Sequence, residues 1–113
     1  MALTVLLRCD NLDATRHFYQ ALLGFTVTQA GDTLTVEQYG GVLIFTEQDL
    51  WHGQPGFTGT FYFSVPDVEA LFAALKDRVP LAWPLQVMPY GGREFGIRDC
   101  NGYHLAFRQL ITG

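Results

Sequence analysis

Residues 3–14 read LTVLLRCDNLDA, and residues 60–70 read TFYFSVPDVEA. Each stretch opens with the apolar and β-branched residues typical of a strand and then reaches an Asn or Asp that can cap a helix. The second stretch repeats the first after 56 positions, so that residues 67–70 correspond to residues 11–14. An internal repeat of this kind indicates two copies of one structural unit.

Three more strand candidates follow each predicted helix. Gly24 is a natural stop for the first helix, and the Asn101-Gly102 dipeptide is a strong hairpin signal. Pro84 predicts that its strand is irregular or lies at a sheet edge. The six candidates are residues 25–29, 34–38 and 42–47 in the first half, and residues 81–88, 93–98 and 103–109 in the second.

The repeat therefore predicts an α+β fold in which one domain, residues 1–113, contains two βαβββ modules. We place the first module at about residues 1–48 and the second at about residues 58–113. Each module is expected to form a mixed sheet with one helix behind it.

The composition of the chain argues against several classes of protein. Apolar residues make up 49 % of the chain and charged residues 16 %, which argues against intrinsic disorder. The net charge of −4 argues against a nucleic-acid partner and suits a cationic one. No apolar run approaches a membrane span, and the two cysteines form no CxxC pair, so we expect a cytoplasmic protein with reduced thiols.

Two segments carry a resemblance to a known family. Residues 11–25, NLDATRHFYQALLGF, are similar to the pattern DLxxSxxFY…LGF. Residues 90–102, YGGREFGIRDCNG, are similar to the pattern WGxREFxxxDPDGN. Both patterns belong to the glyoxalase/bleomycin-resistance/dioxygenase superfamily, also called vicinal oxygen chelate proteins. The resemblance implies curved mixed sheets that enclose a concave cup.

The enzymes of that family hold a divalent metal through four positions, and the resemblance places these on Thr4, Ile44, Thr60 and Ala106. Phe45 takes the place of Ile44 if the register differs by one. Metals of this kind require carboxylate or imidazole ligands, which these side chains do not supply. We therefore expect no metal, no cofactor and no catalytic residue, and a closer likeness to the metal-free, antibiotic-binding branch.

The candidate ligand-binding residues are mainly aromatic side chains in loops or on the predicted concave face, where flat rings can stack. They are Trp51, Trp83, Tyr90, Tyr62, Phe57, Phe45, Glu94 and His104.

Each type of candidate residue has a structural alternative. The aromatic residues could instead seal a dimer interface, and Glu94 could form an ion pair with Arg93 at the strand edge. His104 could be a hydrogen-bonded structural group.

The leading hypothesis is a metal-free homodimer that sequesters an aromatic, cationic natural product or antibiotic, bleomycin-like or flat and intercalating, for resistance or self-protection. One alternative is a metal-dependent lyase, isomerase or dioxygenase with a degenerate site. Another is a carrier or accessory protein in natural-product biosynthesis. All three predict a small-molecule partner.

Overall fold

The computed structural model describes residues 3–51 and 59–110, and the chain divides into two compact units, Met1–Phe57 and Thr58–Gly113. Each unit consists of a strand, a helix and three further strands, which confirms the predicted α+β class with two mixed sheets. The first unit contains β1 (Thr4–Arg8), α1 (Leu12–Arg16), a π-helical segment (His17–Leu22), β2 (Thr26–Ala30), β3 (Thr33–Gln38) and β4 (Gly41–Thr46). The second contains β5 (Thr60–Ser64), α2 (Val68–Leu75), β6 (Leu81–Met88), β7 (Gly92–Arg98) and β8 (His104–Leu110).

The two sheets share one topology. The strand order is β1-β4-β3-β2 in the first unit and β5-β8-β7-β6 in the second. The outer pairs β1·β4 and β5·β8 are parallel, and the remaining pairs are antiparallel. None of the helical segments in the described ranges has the length and apolar content needed to cross a membrane.

The repeat extends to the way in which each helix begins. Asn11 caps α1 by accepting the N–H of Ala14 at 2.8 Å, and Asp67 caps α2 in the same way. The first residue of each helix also donates its N–H to a side chain at, or just after, the C-terminal end of the parallel partner strand. Leu12 donates to Glu47 at 2.7 Å, and Val68 donates to Gln109 at 2.9 Å. These bonds satisfy N–H groups that a helix cannot pair internally.

The first helix ends differently from the sequence prediction of a single regular helix. Its last turns are π-helical, and the N–H of Leu23 donates to the carbonyl of Phe18 five residues earlier, at 3.1 Å. Gly24 follows with a φ of +73°, a conformation that favours glycine, so the predicted stop is confirmed.

Two predictions for the second unit are confirmed, one for the strand that contains Pro84 and one for the Asn101-Gly102 hairpin. Strand β6 lies at the sheet edge, and its pairing with β7 shifts register on both sides of Trp83, close to Pro84. The β7–β8 hairpin forms, and Gly102 has a φ of +88°. Its organising group is the buried Asp99 carboxylate, which accepts the N–H groups of Asn101 and Tyr103 at 2.9 and 2.8 Å.

Each unit has an aromatic core between its helix and its sheet. In the first unit Phe45 is fully buried, with its ring centroid 5.2 Å from that of Tyr19. In the second unit Phe107 is fully buried between Phe63 at 5.6 Å and Phe95 at 5.3 Å. The contact with Tyr19 places Phe45 on the side of the first sheet that faces the helix. Phe45 is thus a core residue of the first unit, and its contact with a ligand stays a prediction.

Candidate ligand-binding face of the second unit

Contacts with α2 identify the two faces of the second sheet. The Phe95 ring lies 5.2 Å from Phe72 of α2, and Arg93 forms an ion pair with Glu69 of the same helix. Strand alternation then directs Glu94 to the opposite face, which we call the open face. The predicted Arg93–Glu94 ion pair is wrong for this reason, since neighbouring residues of a strand point to opposite sides.

The register aligns one row of side chains across the open face. Trp83 pairs with Gly96, Gly96 pairs with Ala106, and Ala106 pairs with Tyr62. In this row two small residues in the central strands lie between two large aromatic residues in the edge strands. The arrangement leaves room for aromatic rings above the middle of the sheet.

A buried carboxylate holds the aromatic side chains together. Glu94 is 1 % exposed and accepts three hydrogen bonds. Trp83 Nε1 donates to Oε2 at 2.9 Å, and the Tyr62 hydroxyl donates to the same oxygen at 3.3 Å. The Tyr90 hydroxyl donates to Oε1 at 2.9 Å. The three donors compensate for the burial of this carboxylate.

The indole of Trp83 lies directly over Gly96. A Cβ atom at Gly96 would stand 2.5 Å from the indole ring, which is closer than packed atoms allow. The same ring runs nearly parallel to His104, with an interplanar angle of 13° and centroids 6.3 Å apart. Glycine at position 96 is therefore the residue that permits this placement of Trp83.

The two tyrosines remain partly accessible. Tyr62 is 50 % exposed and Tyr90 is 44 % exposed. Burial, followed by the hydrogen bond to Glu94, raises the pKa of Tyr90 to about 12. Burial and the charge of Glu94 also raise the pKa of Tyr62. Both phenols are thus protonated donors at neutral pH, and parts of their side chains face solvent.

Arg108 completes the open face and was absent from the sequence-predicted set. Its guanidinium carbon lies 5.6 Å from the Tyr62 ring centroid and 5.9 Å from that of Tyr90. The signal that could have found it is simple alternation along β8. Arg108 follows Ala106 by two positions, so it shares the face of that residue.

The structure brings together five of the eight candidates, namely Tyr62, Trp83, Tyr90, Glu94 and His104. The other three belong to the first half of the chain. Phe45 lies in the first core, Trp51 is 52 % exposed in the first unit, and Phe57 is outside the described residues.

The positions that correspond to the family's metal ligands do not suit a divalent ion. Thr4 and Ile44 lie in the first sheet, and Thr60 and Ala106 lie in the second. Two hydroxyls and two hydrocarbon side chains do not provide the carboxylate or imidazole donors that such ions take. Among residues 3–51 and 59–110, no three His, Cys, Asp or Glu side chains form a group that could hold a metal ion.

Comparison with known proteins identifies a family. The model of the Glyoxalase/Bleomycin resistance protein/Dioxygenase superfamily matches residues 2–107. No curated protein matches the sequence.

Several solved structures share the fold. A glyoxalase/bleomycin resistance protein/dioxygenase from Alicyclobacillus acidocaldarius has a TM-score of 0.80 at 20 % identity, and 99 % of this chain aligns with 92 % of that one. TioX from Micromonospora sp. ML1 has a TM-score of 0.80 at 19 % identity, with coverages of 98 % and 99 %. Lactoylglutathione lyase from Agrobacterium tumefaciens has a TM-score of 0.72 at 21 % identity, with coverages of 95 % and 91 %. At these identities the likeness establishes the fold alone.

Proposed function

The chain belongs to the glyoxalase/bleomycin resistance/dioxygenase superfamily, and from this premise we propose that it is a metal-free binding protein that sequesters a flat aromatic natural product or antibiotic. The observation that carries the proposal is the set of three aromatic side chains, Tyr62, Trp83 and Tyr90, fixed by one buried carboxylate on the open face of the second unit.

Fixed rings favour binding because little freedom is lost when a ligand stacks on them. Glu94 holds each of the three donors through the polar end of its side chain, so the orientation of each ring is set before a ligand arrives. Stacking uses the ring faces and leaves the hydrogen bonds to Glu94 in place. The half-exposed Tyr62 and Tyr90 are the residues available for such contact.

The environment of the Glu94 carboxylate also favours a binding protein over an enzyme that converts its ligand. A general base needs an oxygen that can reach the proton of a substrate. Both oxygens of Glu94 already accept protein donors, and the carboxylate is almost fully buried. Sequestration requires only equilibrium binding by a protein present in excess over the drug. A carrier role in biosynthesis would use the same face, and the fate of the ligand in cells distinguishes the two roles.

The proposed preference for cationic ligands rests on charge in the first half of the chain. Residues 1–57 contain two basic and six acidic side chains, whereas residues 58–113 contain five of each. On the open face the charges of Glu94 and Arg108 cancel. Attraction of a cation would therefore act over a distance, and it should weaken as salt is added.

Fluorescence titration tests the proposal. In a Trp51→Phe background, Trp83 is the only remaining tryptophan, so its emission reports on the open face. We expect bleomycin or a planar quinoxaline-type compound to quench it, saturating at one ligand per subunit. Mass spectrometry should recover the ligand unchanged. A flat titration with several planar antibiotics would remove the sequestration proposal, and a new product would move the protein to the enzyme class.

A matched pair of variants locates the ligand. Tyr90→Ala should weaken binding by about 5- to 150-fold, corresponding to the loss of about 1–3 kcal/mol of stacking. Tyr39→Ala removes a tyrosine of similar exposure, 38 %, from the first unit and should leave affinity unchanged. Equal losses in the two variants would contradict a site on the open face.

The proposal includes a homodimer. Strand β6 lies at the edge of its sheet and carries Val87 at 70 % exposure and Leu81 at 39 %. An apolar, unpaired strand edge favours association with a second copy. Light scattering at micromolar protein should give twice the 12.7 kDa chain mass. A monomer mass would remove this part of the proposal.

A further inference from the structure

Arg108 has an unusual environment on the open face. Its Nε atom is buried, and within residues 3–51 and 59–110 no hydrogen-bond acceptor reaches it. The ion pairs formed in the described ranges, Arg8–Asp49 and Arg93–Glu69, do not include it. A buried N–H group without an acceptor is costly, so its presence requires an explanation.

The nearest carboxylate in register does not supply the missing acceptor. Glu94 stands directly opposite Arg108 in the β7·β8 pairing. Its two oxygens are occupied by the donors of Tyr62, Trp83 and Tyr90 instead. The acceptor capacity of Glu94 is thus directed to the aromatic side chains.

The two tyrosines hold the guanidinium but give it no hydrogen bond. Its carbon lies 5.6 and 5.9 Å from the ring centroids of Tyr62 and Tyr90, at distances that permit cation–π attraction. Their hydroxyls donate to Glu94. The result is a cation close to two aromatic rings, with an Nε–H group that has no acceptor among the described residues.

From this geometry we infer that Arg108 anchors an acceptor oxygen of the ligand, so that the preferred ligand is a flat aromatic compound bearing a carboxylate or, more weakly, a carbonyl. This inference rests on the proposed function, because it assumes that an aromatic ligand occupies the open face. Guanidinium groups match carboxylates in planar geometry as well as in charge. The inference departs from the proposed preference for cationic ligands, since Arg108 would repel a cationic group on the ring at this position.

Three probes with one ring test the inference. Calorimetric titrations of the full chain would compare 2-naphthoate, 2-naphthamide and 2-naphthylmethylammonium, which differ in the charge and acceptor capacity of one substituent. We expect the affinity to fall in that order. Tighter binding of the ammonium compound would overturn the inference and support the cationic version of the proposed function. Failure of all three probes to bind would count against the proposed function itself.

Variants assign the effect to one side chain. Arg108→Met should weaken 2-naphthoate binding by about 10- to 100-fold, the range for hydrogen bonds to charged groups, and should leave the ammonium probe unaffected or improved. Arg78→Met removes the same charge from an exposed residue after α2 and should change affinity by less than twofold. Equal losses in Arg78→Met and Arg108→Met would reduce the effect to general electrostatics and overturn the inference.

A loss of all three probes in Arg108→Met would indicate a disturbed face, so Arg108→Lys provides the second measurement. Lysine keeps the charge but loses the planar pair of donors, and we expect an affinity for 2-naphthoate between those of the parent and Arg108→Met. An Arg108→Lys variant that binds 2-naphthoate, 2-naphthamide and the ammonium probe like the parent would overturn the anchoring role of the guanidinium.

Discussion

Corresponding rows of side chains show how far the two units have diverged. Both rows cross the four strands of a sheet in the same order, on the face opposite the helix. In the first unit the row is Thr28, Thr35, Ile44 and Leu6, and in the second it is Trp83, Gly96, Ala106 and Tyr62. The backbone pairing is shared, while side-chain size and polarity are redistributed.

The other face of each sheet has changed much less. Phe45 and Phe107 hold equivalent positions, opposite Leu7 and Phe63 respectively, and both are fully buried. Packing against a helix restricts volume at such positions, whereas a face turned away from the helix carries no such restriction. The comparison teaches that the repeated core supports the fold and that the second open face is free to become specialised.

The largest expected effect tests the shared part of the comparison. Phe45→Ala and Phe107→Ala should each lower the free energy of unfolding by about 3–5 kcal/mol, because each leaves a cavity in a packed core. Urea denaturation followed by circular dichroism measures both losses. A large loss in one unit with a negligible loss in the other would break the equivalence of the cores.

The next effect tests the specialised face. Glu94→Gln places an amide where three donors converge, and we expect a loss of about 1.5–3 kcal/mol of unfolding free energy. Its counterpart in the first unit is Thr33, and Thr33→Val should cost less than about 1 kcal/mol. In the Trp51→Phe background, Trp83 emission should shift only when Glu94 is changed. An unchanged stability in Glu94→Gln would show that the carboxylate does not hold the rings.

A glycine substitution sharpens the comparison further. Gly96→Ala forces the Trp83 indole away, since the added carbon would stand 2.5 Å from it, and should cost about 1–3 kcal/mol. The equivalent Thr35→Ala creates no clash and should cost less than about 1 kcal/mol. Urea denaturation with a Trp83 fluorescence readout distinguishes the two. Equal costs would contradict a special need for glycine at position 96.

The last effect, a dependence of stability on pH, is confined to alkaline solution. The pKa of Tyr90 rises from 10.0 to about 12, so the fold favours the protonated phenol. The resulting stability is complete below pH 10 and is lost as the pH increases through 12, because the unfolded chain releases the proton first. Phenolate absorbance near 295 nm should show a late-titrating tyrosine that is absent from Tyr90→Phe. If Tyr90→Phe titrates like the parent protein, the late-titrating tyrosine is not Tyr90.

Local and periodic features of the sequence predicted most of the fold. The capping residues and Gly24 act within a few positions, and the 56-residue repeat is visible as a period in the sequence. All three reappear in the structure. Strand β6 was predicted with its observed ends, and the other strand ends differ by at most one residue. The π-helical turns could not be anticipated, because they produce no distinct residue pattern at this length.

The site was less predictable because its contacts join distant positions. Alternation along a strand shows that Glu94 and Gly96 share a face, but the contact of Trp83 with both depends on register shifts near Pro84. Phe45 entered the candidate set because a one-residue change of register moves a side chain to the other face of the sheet. Arg108 was not among the candidate residues, although alternation along β8 places it on the same face as Ala106.

The three hydrogen bonds at Glu94 have a consequence for how this protein could evolve. A mutation that replaces one ring to suit a different ligand also removes a donor from a carboxylate that is 1 % exposed. The three aromatic positions are therefore expected to be epistatic, with the cost of each exchange depending on the other two and on residue 94. In a lineage that first neutralised Glu94, the rings would become independently replaceable, and new ligand preferences would become accessible through single mutations.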